Sequence, residues 1–176
     1  MTELEESEPA TQANGSIMES LVNYFRENDW QYELVVHDSR LVARVRGNNG
    51  DWSCYAQARE EEGQFVFYSV LPFEVIERKR AAVAEYISRA NWGLVSGSFE
   101  MDFSTGETRF RTSIELLGEP LCAERIENLV MTNVVMMDRY LPGLMRVIYN
   151  DLSPEEAIAQ IENESVSSAD DTQASN

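Results

Sequence analysis

The 176-residue chain has one histidine, His37, and one lysine, Lys79. A single histidine excludes a Ser-His-Asp triad and a histidine-rich metal site, leaving carboxylates as the only metal option. A single lysine, with no GxGxxG or GxxxxGK[ST] run around it, excludes a Walker-type phosphate site. Cys54 and Cys122 lie in no CxxC or Cys/His cluster, which suits a reducing compartment. No apolar run approaches the roughly 18 residues of a membrane span. The opening MTELEESEPA carries four glutamates and no base, so it reads as neither a secretory nor a transit peptide. Basic residues are few overall, 14 against 31 acidic, for a net charge of -17. That disfavours nucleic acid and anionic membrane, which both need a cationic footprint. The expectation is an acidic cytoplasmic protein without cofactor.

What is present is ordinary globular material, 43% hydrophobic and 26% charged. The charge is uneven. Residues 1–15 hold four acidic residues and 151–176 hold seven, neither with a base, leaving -6 for residues 16–150. Both ends lack aromatics and are rich in Ser, Gln, Asn and Ala, so their composition predicts disordered acidic tails at 1–15 and 165–176 around one domain at 16–164.

Within the domain, Ser16 and Glu19 form a capping box ahead of Ile17, Leu21 and Phe25 at helical spacing. Four strands follow, about 30–36, 40–46, 52–59 and 64–71, with Asn49-Gly50 as the strongest hairpin signal. A second helix is expected to open at Pro72 and stop at Asn91-Trp92-Gly93. Two strands, about 94–103 and 108–117, alternate Phe99, Met101 and Phe103 on one side and Phe110, Thr112 and Ile114 on the other strand's matching side. A long helix from Leu121 to Tyr149, kinked at Pro142-Gly143, and a short one capped by Ser153-Pro154-Glu155-Glu156 complete the order α-β-β-β-β-α-β-β-α-α. Hairpin-linked strands with segregated helices predict an α+β fold with an antiparallel sheet. Phe99, Met101, Phe103, Phe110, Ile114, Val134 and Leu141 are expected in one core with Ile17, Leu21 and Phe25.

Reactive constellations are scarce. Asp102–Glu107 (DFSTGE) lacks the ligand spacing of an EF-hand and reads as a hairpin turn. Glu100 and Asp102 share a strand face as a possible carboxylate pair, and Cys54 falls on the apolar parity as a buried thiol. Two features suit binding instead. If Leu41, Trp52, Cys54, Phe65 and Phe67 point inward, the opposite face gathers Val42, Arg44, Arg46, Tyr55, Arg59, Val66, Tyr68 and Val70, continued by Arg109 and Arg111. Arginine around aromatic and aliphatic residues is the composition of protein interfaces. The long helix carries Met131, Met136, Met137 and Met145, adaptable side chains that suit irregular partners.

The segments GNNGDW, FYSVLPF, RAAVAEYISRANWG, NWGLVSGSFEMDFSTGETRFRTSIEL and NLVMTNVVMMDRYLPGLMRVIYNDLSPEEAIAQIE resemble the bacterial YbjN family in its cyanobacterial form, over about residues 16–163. MMDRYLPGLMRVIY is the most specific part. The resemblance implies a role in sensory transduction and a fold similar to type III secretion chaperones, small acidic proteins that hold client segments and commonly dimerise. It carries over no catalytic residues. The expectation is a non-enzymatic, chaperone-like adaptor or assembly factor that binds a segment of a client protein, a carboxysome component being one candidate, with a homodimer as its assembly. The alternative is a regulator responding to a small ligand between the sheet and the long helix. The partner-binding residues expected are Arg44, Arg46, Tyr55, Val66, Tyr68 and Val70, with Met136 and Met137 as a second surface.

Overall fold

The computed structural model describes residues 15–173, with side chains for residues 15–163; the N-terminal acidic segment 1–14 and residues 174–176 lie outside it. The elements are α1 (Ile17–Glu27), β1 (Tyr32–Val35), β2 (Arg40–Arg46), β3 (Asp51–Arg59), β4 (Gln64–Val70), α2 (Glu77–Asn91), β5 (Ser98–Met101), β6 (Thr108–Glu115), α3 (Ala123–Tyr149) and α4 (Pro154–Gln173). The six strands form one antiparallel sheet in the order β1-β2-β3-β4-β6-β5. This is the α+β order expected from the sequence.

Both predicted caps form. Ser16 Oγ accepts the Glu19 N–H at 3.0 Å, and Glu60 from the β3–β4 turn accepts the Ile17 and Met18 N–H groups at 3.0 and 2.8 Å. A carboxylate there satisfies orphan donors and opposes the positive end of the helix dipole. At α4, Ser153 and Glu156 bond reciprocally, as a capping box requires.

The helices cover one face of the sheet. α1 packs on β2 and β3, α3 on β4 and β6, and α2 on β5. Between them Leu41, Cys54, Phe65, Phe67 and Phe110 are fully buried against Leu21, Phe25, Val130, Met137 and Leu144. Each such side chain contributes about 1.5–3 kcal/mol by leaving water. Buried polar groups fix the layers in register. The Asn133 amide of α3 donates to Phe67 O at 3.0 Å and Phe110 O at 3.1 Å, and Trp52 Nε1 donates to Ser69 Oγ at 2.9 Å.

The long helix is bolted down where its own hydrogen bonding fails. Pro142 has no N–H for the carbonyl of Asp138, four residues back. Asn49, at the β2–β3 turn, supplies the missing donor: its side-chain amide reaches Asp138 O at 3.0 Å, and its backbone N–H reaches Asp138 Oδ1 at 2.8 Å. The turn comes this close because it is framed by glycines. A Cβ at Gly47 would overlap Asp138 and Trp52, and one at Gly50 would overlap Leu141. One residue beyond Pro142, Gly143 leaves room for Tyr86 of α2, whose hydroxyl donates to Tyr140 O at 2.8 Å. The helix is thus not interrupted at the kink site expected at Pro142-Gly143, and α3 runs through both residues.

Other expectations need correction. Phe103 is 58% exposed and outside the core. Strand β5 ends at Met101, because Asp102 accepts the Ser104 N–H and hydroxyl while its carbonyl takes the Gly106 N–H, so the alternation stops one residue before Phe103. Residues 94–97 precede the strand rather than begin it. Helix α2 starts at Glu77 and not at Pro72, since the Val75 N–H is committed to Gly106 O and holds the chain extended. The backbone of 165–173 continues α4, where composition predicts a disordered tail.

Two stability measurements follow. Asn49→Ala leaves the mid-helix Asp138 carbonyl without its donor and should cost about 0.5–1.5 kcal/mol in urea unfolding. Phe99→Ala, in the core beside Phe110 and Tyr140, should cost about 3–5 kcal/mol, whereas Phe103→Ala should change stability by less than about 0.5 kcal/mol.

Candidate functional site

Because every helix contact above is made on one side, the opposite side of the sheet presents its side chains outward. Strand register orders them in rows. Val42, Tyr55, Tyr68 and Arg111 lie across β2, β3, β4 and β6; the next row holds Arg44, Ser53, Val70, Arg109 and, on β5, Glu100; the row on the other side holds Arg40, Gln57, Val66 and Ser113. The centre is the Tyr55–Tyr68 pair, with an arginine stacked on each ring: the Arg40 guanidinium carbon 5.3 Å from the Tyr55 centroid and that of Arg109 4.4 Å from Tyr68. Cation–π contacts of this kind hold the rings upright and half-buried.

The arginines are nearly all neutralised within the face. Glu100 accepts from Arg109 Nε at 3.0 Å and from Arg111 Nε, while Arg111 also reaches Ser113. Arg46 pairs with Asp51, Arg59 with Glu62, and Arg40 with Asp38. Arg44 is exposed, and its guanidinium has no ion pair or hydrogen bond among the described residues. Burial raises the Glu100 pKa, but the hydrogen bonds and charges of Arg111 and Arg109 outweigh it and hold the carboxyl below its ordinary value.

Surface depressions lie on this side and at its hairpin end. One of about 390 Å³ lies over Val66, Tyr68, Glu100, Arg109 and Arg111; one of about 240 Å³ lies over Arg40, Tyr55, Tyr68, Val70 and Arg109. Another, about 440 Å³, sits at the β2–β3 hairpin end among Arg44, Val45, Asp51, Trp52 and Pro72.

Of the residues predicted from sequence, Arg44, Arg46, Tyr55, Tyr68 and Val70 share this surface. Val66 has the right parity but is 5% exposed, so it offers a partner little area. Met137 is a correction: it is fully buried in the core, seven residues from both Val130 and Leu144 on one helix face. Met136 is half-buried, and the helix's exposed apolar side chains are Met131 and Val135 with Tyr149 at its end. Sequence reading missed Arg40 and Glu100 as parts of the site. Arg40 was findable by parity with Val42 and Arg44. Glu100 does not pair with Asp102, which is occupied in the β5–β6 turn.

The reactive candidates are accounted for structurally. Burial pushes the Cys54 thiol up to about 11, against weaker opposing hydrogen bonds from Ser69 and Trp52. The carbonyls of Phe103, Ser104 and Thr105 in the DFSTGE turn accept hydrogen bonds from Arg80. Among the described residues no group of three or more His, Cys, Asp and Glu could hold a metal ion, and no helix is long and apolar enough to cross a membrane.

The Glu100 carboxylate gives a pH prediction. Its folded pKa lies below its unfolded value, so its stabilisation is present above about pH 4.5 and is lost as pH falls through the folded pKa. Glu100→Gln should therefore be less stable than the native chain at pH 7, by under about 1 kcal/mol for a partly exposed pair. The difference should vanish in acid melts below that pKa.

Comparison with known proteins adds the lineage. A search of curated protein sequences finds no match. Among solved structures, the crystal structure of YbjN, "a putative transcription regulator from E. coli", superposes with a TM-score of 0.53 at 10% identity, covering 76% of this chain and 90% of that one. The HopA1–SchA chaperone–effector complex gives a TM-score of 0.44 at 11% identity, covering 69% of this chain and 88% of the matched one. The family profile described as "YbjN: Putative bacterial sensory transduction regulator" matches residues 18–146, more than half the sequence, and the chain belongs to the YbjN family.

Proposed function

We propose that this protein is a non-enzymatic, chaperone-like adaptor that holds a segment of a client protein on the open face of its sheet. The observation that carries the reading is the Tyr55–Tyr68 pair: two large rings, half-buried and fixed by stacked arginines, on a face that no described helix covers. Such rings offer contact area at low entropic cost, since their rotamers are already restricted. The segment lies across the face rather than extending the sheet at β5. There the Asn91 side chain already pairs with the edge, accepting the Phe99 N–H at 2.8 Å and donating to Phe99 O at 3.1 Å. A client drawn from a large assembly, such as a carboxysome, and a homodimeric state are compatible with this reading.

The regulatory alternative places a small ligand between sheet and α3. That space is filled by Phe67, Phe110, Val130, Met137 and Leu144, each fully buried. A small ligand would have to use a surface depression instead. The family description supports a regulatory pathway, which a client-binding adaptor also serves.

The test is affinity capture from native lysate with the full chain and three variants, read by quantitative mass spectrometry. Tyr68→Ala and Arg44→Glu should melt within a few degrees of the native chain yet lose most of the captured client. Met131→Glu, on α3, should retain it. Capture that survives the first two and fails with the third would move the site to the helix.

A further inference from the structure

The charge closure of the open face defines the chemistry of what it can hold. Arg40, Arg46, Arg59, Arg109 and Arg111 already face Asp38, Asp51, Glu62 and the shared Glu100, so a second carboxylate brought onto those arginines displaces an existing one. Arg44 is the exception. It lines the 440 Å³ depression at the hairpin end together with Val45, Asp51, Trp52 and Pro72. One two-residue step along β2 and β3, about 7 Å, separates its row from the row of Tyr55 and Tyr68.

We infer that the face selects an extended peptide carrying one carboxylate, seated on Arg44, with an aromatic or aliphatic residue two positions away against Tyr55 and Tyr68. This deepens the client-binding reading above and rests on it. The spacing follows from the shared two-residue period of an extended peptide and the strands beneath it. A single acid is matched because, among the described residues, Arg44 alone of the face's arginines has no carboxylate. A run of acids meets Glu100 and Asp51 as well as the net charge of -17, and a basic residue at the same place meets Arg44. Discrimination of this kind arises as much from rejected alternatives as from the contact made.

The probe is a displayed library of random octapeptides, selected against the folded full chain and, separately, against its Glu100→Gln variant. Peptides enriched on the native chain should carry one Asp or Glu with an apolar residue two positions away. They should weaken about tenfold or more on Arg44→Ala, the scale of one charge-assisted hydrogen bond. Glu100→Gln, which removes the carboxylate charge shared by Arg109 and Arg111 and leaves Arg109 only its 3.6 Å contact with Glu107, should enrich peptides with two or more acids. Peptides that need Tyr68 but carry several acids or none, or that ignore Arg44→Ala, would overturn the single-carboxylate rule and leave the client-binding reading standing. Unchanged selection by Glu100→Gln would overturn it equally. Peptides indifferent to Tyr68→Ala, or no enrichment at all, would overturn both readings, because the face would then not be a peptide site.

Discussion

The hydrogen bonds between Asn49 and Asp138 are the constraint on which the arrangement turns. A proline inside a 27-residue helix leaves a carbonyl without its donor, and this one is met from a hairpin 89 residues away in sequence. The consequence reaches beyond one carbonyl. Anchoring the β2–β3 turn to α3 fixes the helix across the sheet, which lets Asn133 bond to β4 and β6 and sets Val130, Met137 and Leu144 into the same face of the core. Gly47, Gly50 and Gly143 are then required for close approach, whatever their local backbone angles. Two of the segments that carry the family resemblance, GNNGDW and MMDRYLPGLMRVIY, are the two halves of a single joint.

With all helices held on one side, the other side of the sheet must manage its own exposure. It does so by stacking arginines on tyrosines and pairing most arginines with nearby carboxylates, so the face is closed in charge while open in shape. The edge at β5 is closed as well, by an asparagine side chain that imitates a neighbouring strand. An open face whose β5 edge is already occupied favours a bound segment lying over the strands. The E. coli YbjN structure, at 10% identity, extends the fold and leaves the role of the face to be argued from these residues.

Much of the fold was legible because its signals are local. Ser16, Ser153-Pro154 and Asn49-Gly50 announce caps and a turn within four residues, and strand parity correctly divided Leu41 and Phe67 from Tyr55 and Tyr68. The failures come where distant or competing contacts decide. Phe103 obeys the alternation of its strand, but Asp102 and Ser104 bond to each other and end the strand first. Adjacent Met136 and Met137 point about 100° apart on a helix, and the seven-residue spacing of Val130, Met137 and Leu144 was the readable clue that Met137 faces the core. Val66 is shielded by cross-strand neighbours, which no single strand reveals. The Glu100 clamp depends on pairing β5 with β6 in one register, as does the neutrality that singles out Arg44.

The central claim is that the face bearing Tyr55 and Tyr68, and not α3, is where a partner sits. Backbone NMR of the isotope-labelled full chain, titrated with a selected peptide, tests it most directly. The account predicts saturable shift changes at Val42, Arg44, Tyr55, Tyr68 and Val70, with Met131 and Val135 unmoved. Changes centred on Met131 and Val135, with the sheet residues silent, would contradict it.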